Sequence, residues 1–151
     1  MPKTLIASNR RATYDYEILE SAEAGLVLKS SEIKSIRDNR VNLAGSYAFP
    51  SNGELWLHNA HIAQYPYSRG ENHDPLRSRK LLLRKQELRK YVSAAQQKGY
   101  SIVPLKLYFS GHYAKITISI ARGKRQYDKR RASMEKDRSR EAKEAIKRHL
   151  H

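Results

Sequence analysis

The sequence predicts a mainly β fold, an antiparallel barrel of the oligonucleotide-binding type with helices packed beside it. Several short runs rich in β-branched and aromatic residues are separated by turn signals. Only residues 31–38 and 85–97 show the periodicity of packed helices, and strands and helices do not alternate as they do in a parallel sheet. A two-sheet sandwich would fit the same pattern.

The first third of the chain is predicted to contain an arm, a strand region and a short helix. Residues 1–12 are expected to form an extended N-terminal arm. Alternating apolar residues within 14–28 predict two strands or one long bent strand. Ser31 is suited to cap the helix that follows, and Asn39 is suited to end it because it tolerates the left-handed conformation.

The middle of the chain contains a hairpin signal followed by a long irregular segment. Asn52-Gly53 lies between the β-rich runs 46–49 and 54–58, and this dipeptide favours a tight hairpin turn. Residues 63–80 lack periodicity, which predicts a long functional or mobile loop.

The body of the protein is predicted to close with a helix and two strands. Apolar residues at helical spacing predict an amphipathic helix over 85–97 that ends before Gly99. Strands over 101–110 and 113–121 follow. We therefore expect the barrel to span residues 13–125.

Residues 126–151 are predicted to form a basic C-terminal tail. They have high helix propensity but few large apolar residues, so they cannot dock firmly on a core. We expect this tail to be disordered when free and helical when bound.

The charge of the chain indicates a polyanionic partner. It carries 30 Lys and Arg against 15 Asp and Glu, a formal net charge of +15. Residues 122–151 hold +7 of this and residues 1–121 hold +8, so the body is basic in its own right. Counterion release then favours binding to nucleic acid. A charge that serves only solubility is the alternative.

Composition also excludes several classes of protein. There is no cysteine, which excludes disulfides, thiolate catalysis and cysteine-based zinc sites and favours a cytoplasmic location. No apolar run approaches the length of a membrane span, and the N-terminus lacks a secretory apolar region, so no membrane partner is expected.

Two basic clusters contain the residues most suited to RNA. The first, residues 121–131, places Tyr127 among cations, where a ring could stack on a base for about 1–3 kcal/mol. The second surrounds the apolar residues 81–83 with arginine and lysine, whose side chains suit phosphate oxygens: Arg77, Arg79, Lys80, Arg84 and Lys85.

No catalytic or metal-binding constellation is evident, so neither a catalytic residue nor a cofactor is expected. The serine-hydrolase, Walker and zinc-protease motifs are absent from the sequence. His58 and His61 are expected to point to opposite faces of a strand, and His73 lacks an evident second ligand. Acidic pairs such as Glu20 and Glu23 leave a Mg²⁺-dependent nuclease as an alternative.

Taken together, seven segments in order resemble the small protein B family, the SsrA-binding or transfer-messenger RNA (tmRNA)-binding proteins of bacterial trans-translation. These segments are 9–12 with Tyr16 and Ile18, 23–28 with 31–37, 40–43, 74–75 with Arg77, 79–83, 104–108, and 122–124 with 128–130. Two positions depart from the family pattern. Lys29-Ser30 replaces a frequent glycine, and Tyr127 stands where other members can have histidine.

The resemblance implies a six-stranded barrel without catalytic activity. Such proteins bind the tRNA-like domain of tmRNA and bring it, with elongation factor Tu attached to the same RNA, into stalled ribosomes. Their tail enters the empty mRNA channel and folds there as a helix. A general RNA-binding or ribosome-associated protein of the same fold, without preference for tmRNA, is the alternative.

Candidate site residues follow from the resemblance and from the basic clusters. Three positions match residues that the family uses to hold RNA: Glu23, Leu82 and Lys115. Six cations are expected to add to this RNA-binding surface: Arg10, Lys34, Arg37, Arg77, Arg79 and Lys80. Seven positions match the junction and early tail that contact the decoding region of small-subunit RNA: Arg122, Lys124, Arg125, Tyr127, Asp128, Lys129 and Arg130.

Overall fold

The computed structural model describes residues 3–124. Within them, the strands are β1 (Lys3–Ser8), β2 (Tyr16–Leu26), β3 (Val41–Asn42), β4 (Tyr47–Ser51), β5 (Glu54–His58), β6 (His61–Ile62), β7 (Arg79–Leu82), β8 (Tyr100–Ser110) and β9 (Tyr113–Gly123). The helices are α1 (Arg10–Asp15), α2 (Ser30–Arg37) and α3 (Lys85–Gln96). The tail, residues 126–151, lies outside the described residues, as does Arg125.

Six antiparallel strands close into a ring, which confirms the predicted barrel. The order is β8-β4-β5-β7-β2-β9, and β9 pairs with β8 to complete the circle. The sandwich alternative is therefore wrong. Strands β3 and β6 form a separate two-stranded ladder.

The barrel interior is filled by the inward-facing side chains of its strands. On β9, Ile116 and Ile118 are fully buried, and on β5 Leu55 and Leu57 are equally enclosed. Helix α3 contributes Tyr91 to the same core, which explains its amphipathic pattern. Because these side chains fix which face of each strand is internal, they also fix which residues point outward.

The predicted N-terminal arm is part of the folded body. Strand β1 pairs with the C-terminal half of β8, from Lys3 opposite Ser110 to Ser8 opposite Lys106. Helix α1 follows directly, and the side chain of its N-cap residue Asn9 accepts a hydrogen bond from the Ala12 amide at 3.3 Å. The sequence did not reveal either element because β1 is a half-exposed strand added to the ring and α1 has only six residues.

Other local predictions are confirmed, with one correction at α2. Both hairpin residues, Asn52 and Gly53, have positive φ, at 53° and 76°, and Asn39 ends α2 with a φ of 58°. The cap of α2 is wrong, however: the helix begins at Ser30 after Lys29, not at a Ser31 cap. Lys29 has an ordinary extended φ of −81°, so this turn does not require the glycine frequent in the family.

Candidate nucleic-acid interface

Three predicted RNA-binding residues lie on one outer face of the barrel. Gly25 of β2 lies opposite Leu82 of β7 on one side and opposite Lys115 of β9 on the other. Directly opposed residues point to the same side of a sheet, and Glu23 shares that side because it is two residues from Gly25. We call this surface, made of Glu23, Gly25, Leu82, Lys115 and Tyr113, the outer face.

Gly25 matters because a side chain there would crowd the outer face. A Cβ at this position would lie 3.4 Å from the Cβ of Leu82. Leu82 itself is 51% exposed, although the neighbouring Leu81 is buried in the core. The bare backbone of Gly25 therefore leaves a shallow depression with an apolar wall beside it.

Glu23 is held in place as a carboxylate by its neighbours. It accepts a hydrogen bond from the hydroxyl of Tyr108, and its Oε2 lies 3.5 Å from the Nζ of Lys3. These contacts lower the pKa of Glu23, with the Tyr108 hydrogen bond as the main cause and the charges of Lys3 and Lys115 adding to it. Burial and the same hydrogen bond raise the pKa of Tyr108 to about 12. Glu23 therefore presents an acceptor at neutral pH.

Sequence reasoning missed Tyr113, the most exposed residue of the outer face. It is 70% exposed and begins β9 directly after the turn at Gly111-His112. It lines a cleft of about 380 Å³, which we call the outer cleft, together with Val27, Leu82 and Lys115. An aromatic residue next to a glycine turn in a basic protein is the signal that could have found it.

The structure contradicts the prediction that Arg79 contacts RNA. Its side chain is 0% exposed, and its Nε donates to Oε2 of Glu32 at 2.6 Å. Its Nη1 also donates to the backbone oxygen of Ala60 at 2.5 Å. A guanidinium so enclosed has no surface to offer to a phosphate.

Arg77 has a similar structural role. Its guanidinium donates to both carboxylate oxygens of Glu32 and to the backbone oxygen of Val27 at 3.3 Å. Glu32 also accepts from the Lys29 amide at 2.8 Å, so one fully buried carboxylate joins α2, β7 and the loop before β7. Sequence reasoning missed Glu32, since it lies 47 residues from Arg79 and in a different element.

We expect the stability of the protein to fall at acidic pH partly through Glu32. Burial opposes its ionisation, but hydrogen bonds from Arg77, the Lys29 amide and Arg79 together lower the pKa of Glu32 below its ordinary 4.5. A carboxylate with a lowered folded-state pKa stabilises the fold above its unfolded pKa, and this contribution is lost as pH falls through the folded value. Urea unfolding at a series of pH values should show a decline below about pH 4.5 that is smaller in Glu32→Gln. Equal declines in both proteins would contradict this prediction.

The other predicted cations lie at the surface in three places. Lys34 and Arg37 are exposed on α2, where Lys34 lies over the ring of Tyr65 and Arg37 over that of Phe109. Lys80 follows the same side of β7 as Leu82, although its Nζ also lies 3.7 Å from Glu54. Arg10 is exposed at the start of α1.

The described chain ends beside α1, at the predicted junction with the tail. The amide of Lys124 donates to the backbone oxygen of Asp15 at 2.9 Å, and its Nζ donates to that of Thr13 at 3.0 Å. Arg122 pairs with Glu17 of β2 at 2.6 Å. The remaining junction residues of the prediction lie outside the described residues: Arg125, Tyr127, Asp128, Lys129 and Arg130.

The family model of the SmpB protein matches residues 6–148, nearly the whole chain. The chain belongs to the SmpB protein family. The SsrA-binding protein of Carboxydothermus hydrogenoformans is 50% identical over 143 residues, covering 95% of this chain and 96% of its own. The SsrA-binding protein of Geobacter sulfurreducens is 48% identical over 147 residues, and the match covers 97% of this chain and 96% of the relative.

A solved SmpB-like structure matches the barrel. This structure was presented as "tmRNA-SmpB: a journey to the center of the bacterial ribosome". The matched chain has a TM-score of 0.68 and 48% sequence identity, and the match covers 84% of this chain and 93% of the solved one. The similarity in structure therefore agrees with the similarity in sequence.

Two histidines of this SmpB family member, His58 and His73, make hydrogen bonds within the fold. The Nδ1 of His58 lies 2.8 Å from the hydroxyl of Ser78, and the ring of buried His73 bonds Ser31 and the backbone of Ile62. Among residues 3–124 no three acidic or histidine side chains converge as metal ligands. No helix in that range is long and apolar enough to cross a membrane.

Proposed function

We propose that this protein binds tmRNA through the outer face of its barrel and delivers it to stalled ribosomes for trans-translation. The observation that carries the proposal is the meeting of Glu23, Leu82 and Lys115 on one surface, although they come from three different strands. Membership of the SmpB family and the similarity to SsrA-binding relatives support the choice of RNA.

The outer face combines the contacts that folded RNA requires. Leu82 and Tyr113 offer an apolar and aromatic surface to a base or ribose, and Lys115 offers a cation to phosphate. Glu23 accepts hydrogen bonds at neutral pH, which suits a ribose 2′-hydroxyl or a base amino group. A carboxylate next to cations would select these donors, whereas cations alone bind any polyanion.

We further propose that the junction and tail contact a second RNA. Arg122 and Lys124 would begin this contact, and residues 125–130 would continue it into the decoding region of the small ribosomal subunit. Elongation factor Tu would join indirectly, through the tmRNA complex. The protein would work in the cytoplasm as an RNA-binding protein without catalytic activity or a cofactor.

Substituting Leu82 with glutamate is expected to weaken binding of tmRNA at least tenfold. The side chain is half exposed, so the barrel should tolerate the change, but the new carboxylate would repel the RNA backbone. Titration of labelled tRNA-like domain at fixed salt would measure the affinity. Leu19→Glu is a matched control, because Leu19 is 45% exposed on β2 and does not line the outer cleft. Equal effects of the two substitutions would contradict the outer-face assignment.

A general RNA-binding protein of this fold would lack preference for tmRNA. Competition with a large excess of ordinary tRNA tests this alternative, since equal displacement by tRNA would contradict specific recognition. Incubation of labelled RNA with the protein and Mg²⁺ tests the nuclease alternative. Intact RNA after hours would exclude it.

A further inference from the structure

A second cleft lies beside the outer face and differs from it in charge. It has a volume of about 630 Å³ and lies between the start of α2 and the loop of residues 63–78. We call it the loop cleft and define it by five lining residues: Lys29, Lys34, Tyr67, Arg69 and Glu71. Three cations face one carboxylate there, so the cleft favours an anion.

The loop that forms one wall is held to the body by specific hydrogen bonds. The side chain of Asn72 accepts from the Tyr65 amide at 3.2 Å and donates to the Tyr65 oxygen at 2.9 Å. Gln64 donates to the backbone oxygen of His73, and the buried His73 ring bonds Ser31 of α2 at 2.8 Å. The sequence predicted a functional or mobile loop here, and these contacts give it a defined conformation.

A lysine of α2 and two tyrosine rings are in contact one after the other, and the last ring lies at the surface of the cleft. The Nζ of Lys34 lies 5.6 Å from the centroid of the Tyr65 ring, and this ring meets Tyr67 edge-on at 5.7 Å. Tyr67 is 76% exposed, more than any other large apolar side chain of the described chain. A ring that is positioned by neighbours but open to solvent is suited to stack on an unpaired base.

The loop cleft and the outer cleft are lined by neighbouring residues of one segment, 27–34. Val27 and Ile33 line the outer cleft, whereas Lys29 and Lys34, two and one residues further along, line the loop cleft. This segment therefore contributes to both clefts, which places the loop cleft next to an RNA on the outer face.

We propose that the loop cleft is a second contact site for the RNA held on the outer face. Lys29, Lys34 and Arg69 receive a phosphate, and Tyr67 stacks on an unpaired base next to that phosphate. The base must be unpaired because a base inside a helix has no free face to offer. This inference rests on the proposed function and adds a loop or bulge of the bound RNA as the feature recognised.

Binding of labelled tRNA-like domain to the full-length chain tests the stacking contact. Tyr67→Ala is expected to weaken binding about 5- to 150-fold, as other base-stacking aromatics do when truncated. Tyr67→Phe keeps the ring and should bind within about twofold of the unsubstituted protein. An Ala variant that binds as tightly as the unsubstituted protein, or a Phe variant as weak as Ala, would overturn the stacking contact.

The salt dependence of the same binding tests the phosphate contact. Arg69→Gln should reduce the slope of log affinity against log salt by about 1, the value for one lost phosphate contact. Arg89→Gln is the matched control, because Arg89 is an exposed cation on α3 that lines neither cleft. An unchanged slope in Arg69→Gln, or the same change in both variants, would overturn the phosphate site.

Failure of this inference and failure of the proposed function give different results. If Leu82→Glu weakens binding while the Tyr67 and Arg69 variants bind normally, the outer face stands and the loop cleft is not a contact. If ordinary tRNA displaces tmRNA equally from the unsubstituted protein, the proposed function itself fails. Thermal unfolding of each variant confirms that a weakened one is still folded.

Discussion

Replacing Glu32 with alanine is expected to destabilise the folded protein by about 3–5 kcal/mol. The substitution leaves the guanidinium of Arg79 fully buried without its ion-pair partner. Removing one partner of a buried ion pair costs far more than the pair contributes, because the remaining charge keeps its desolvation penalty. Since domains are stable by about 5–15 kcal/mol, this loss is a large share of the total free energy of unfolding. Urea unfolding followed by circular dichroism measures the effect.

A surface ion pair provides the control for Glu32. Glu54 lies 3.7 Å from Lys80 with both side chains partly exposed, so Glu54→Ala should cost less than about 1 kcal/mol. Glu32→Gln keeps one acceptor oxygen for Arg77 or Arg79 and fills the same volume, so it is expected to be less damaging than alanine. It gives a measurable variant if Glu32→Ala does not fold. Similar costs for Glu32→Ala and Glu54→Ala would contradict the structural role of the buried carboxylate.

Deleting residues 131–151 is expected to abolish tagging of stalled chains while sparing affinity for tmRNA. The deleted segment holds seven basic and four acidic residues, so it removes +3 of the +15 net charge. The outer face lies entirely within residues 3–124 and should keep its contacts. Binding of the tRNA-like domain and tagging on ribosomes stalled without a stop codon measure the two activities separately.

A scrambled tail separates the role of sequence from that of charge. A chain with residues 131–151 in shuffled order has the same composition and charge as the natural one. We expect it to bind tmRNA normally and to fail in tagging, because a helix that fits a channel requires its residues in order. Loss of both activities on deletion would contradict the division between body and tail.

Local structure could be predicted from the sequence wherever adjacent residues determine it. The Asn52-Gly53 turn needs only two residues that tolerate positive φ, and both have it. Helix α3 follows from apolar spacing within one segment. Closure of the ring requires β9 to pair with both β8 and β2, and β2 is far from β9 in the chain. The sequence pattern favoured a barrel but fitted a sandwich as well, and the number of six strands came only from the family resemblance.

A basic run in the sequence does not by itself predict a basic surface in the fold. Arg77, Arg79 and Lys80 form one basic run in the sequence, yet alternation along β7 turns Arg79 into the interior and Lys80 outward. The partner that makes this burial possible, Glu32, belongs to another element. Tyr67 could not be predicted either, because it lies in a loop without periodicity. Its exposure depends on contacts of Tyr65 and Asn72.

The long pairing of β2 with β9 fixes the distance between the two RNA contacts that we propose. Lys115 is paired with Gly25 at the outer face, and eight residues later Gly123 is paired with Tyr16, beside the point where the tail leaves. At about 3.3 Å per residue the two points are roughly 26 Å apart. Because Lys124 is also bonded to the backbone of α1, the tail starts from a defined position. If tmRNA binds the outer face as proposed, the barrel is a rigid spacer that sets how far from this RNA the tail begins.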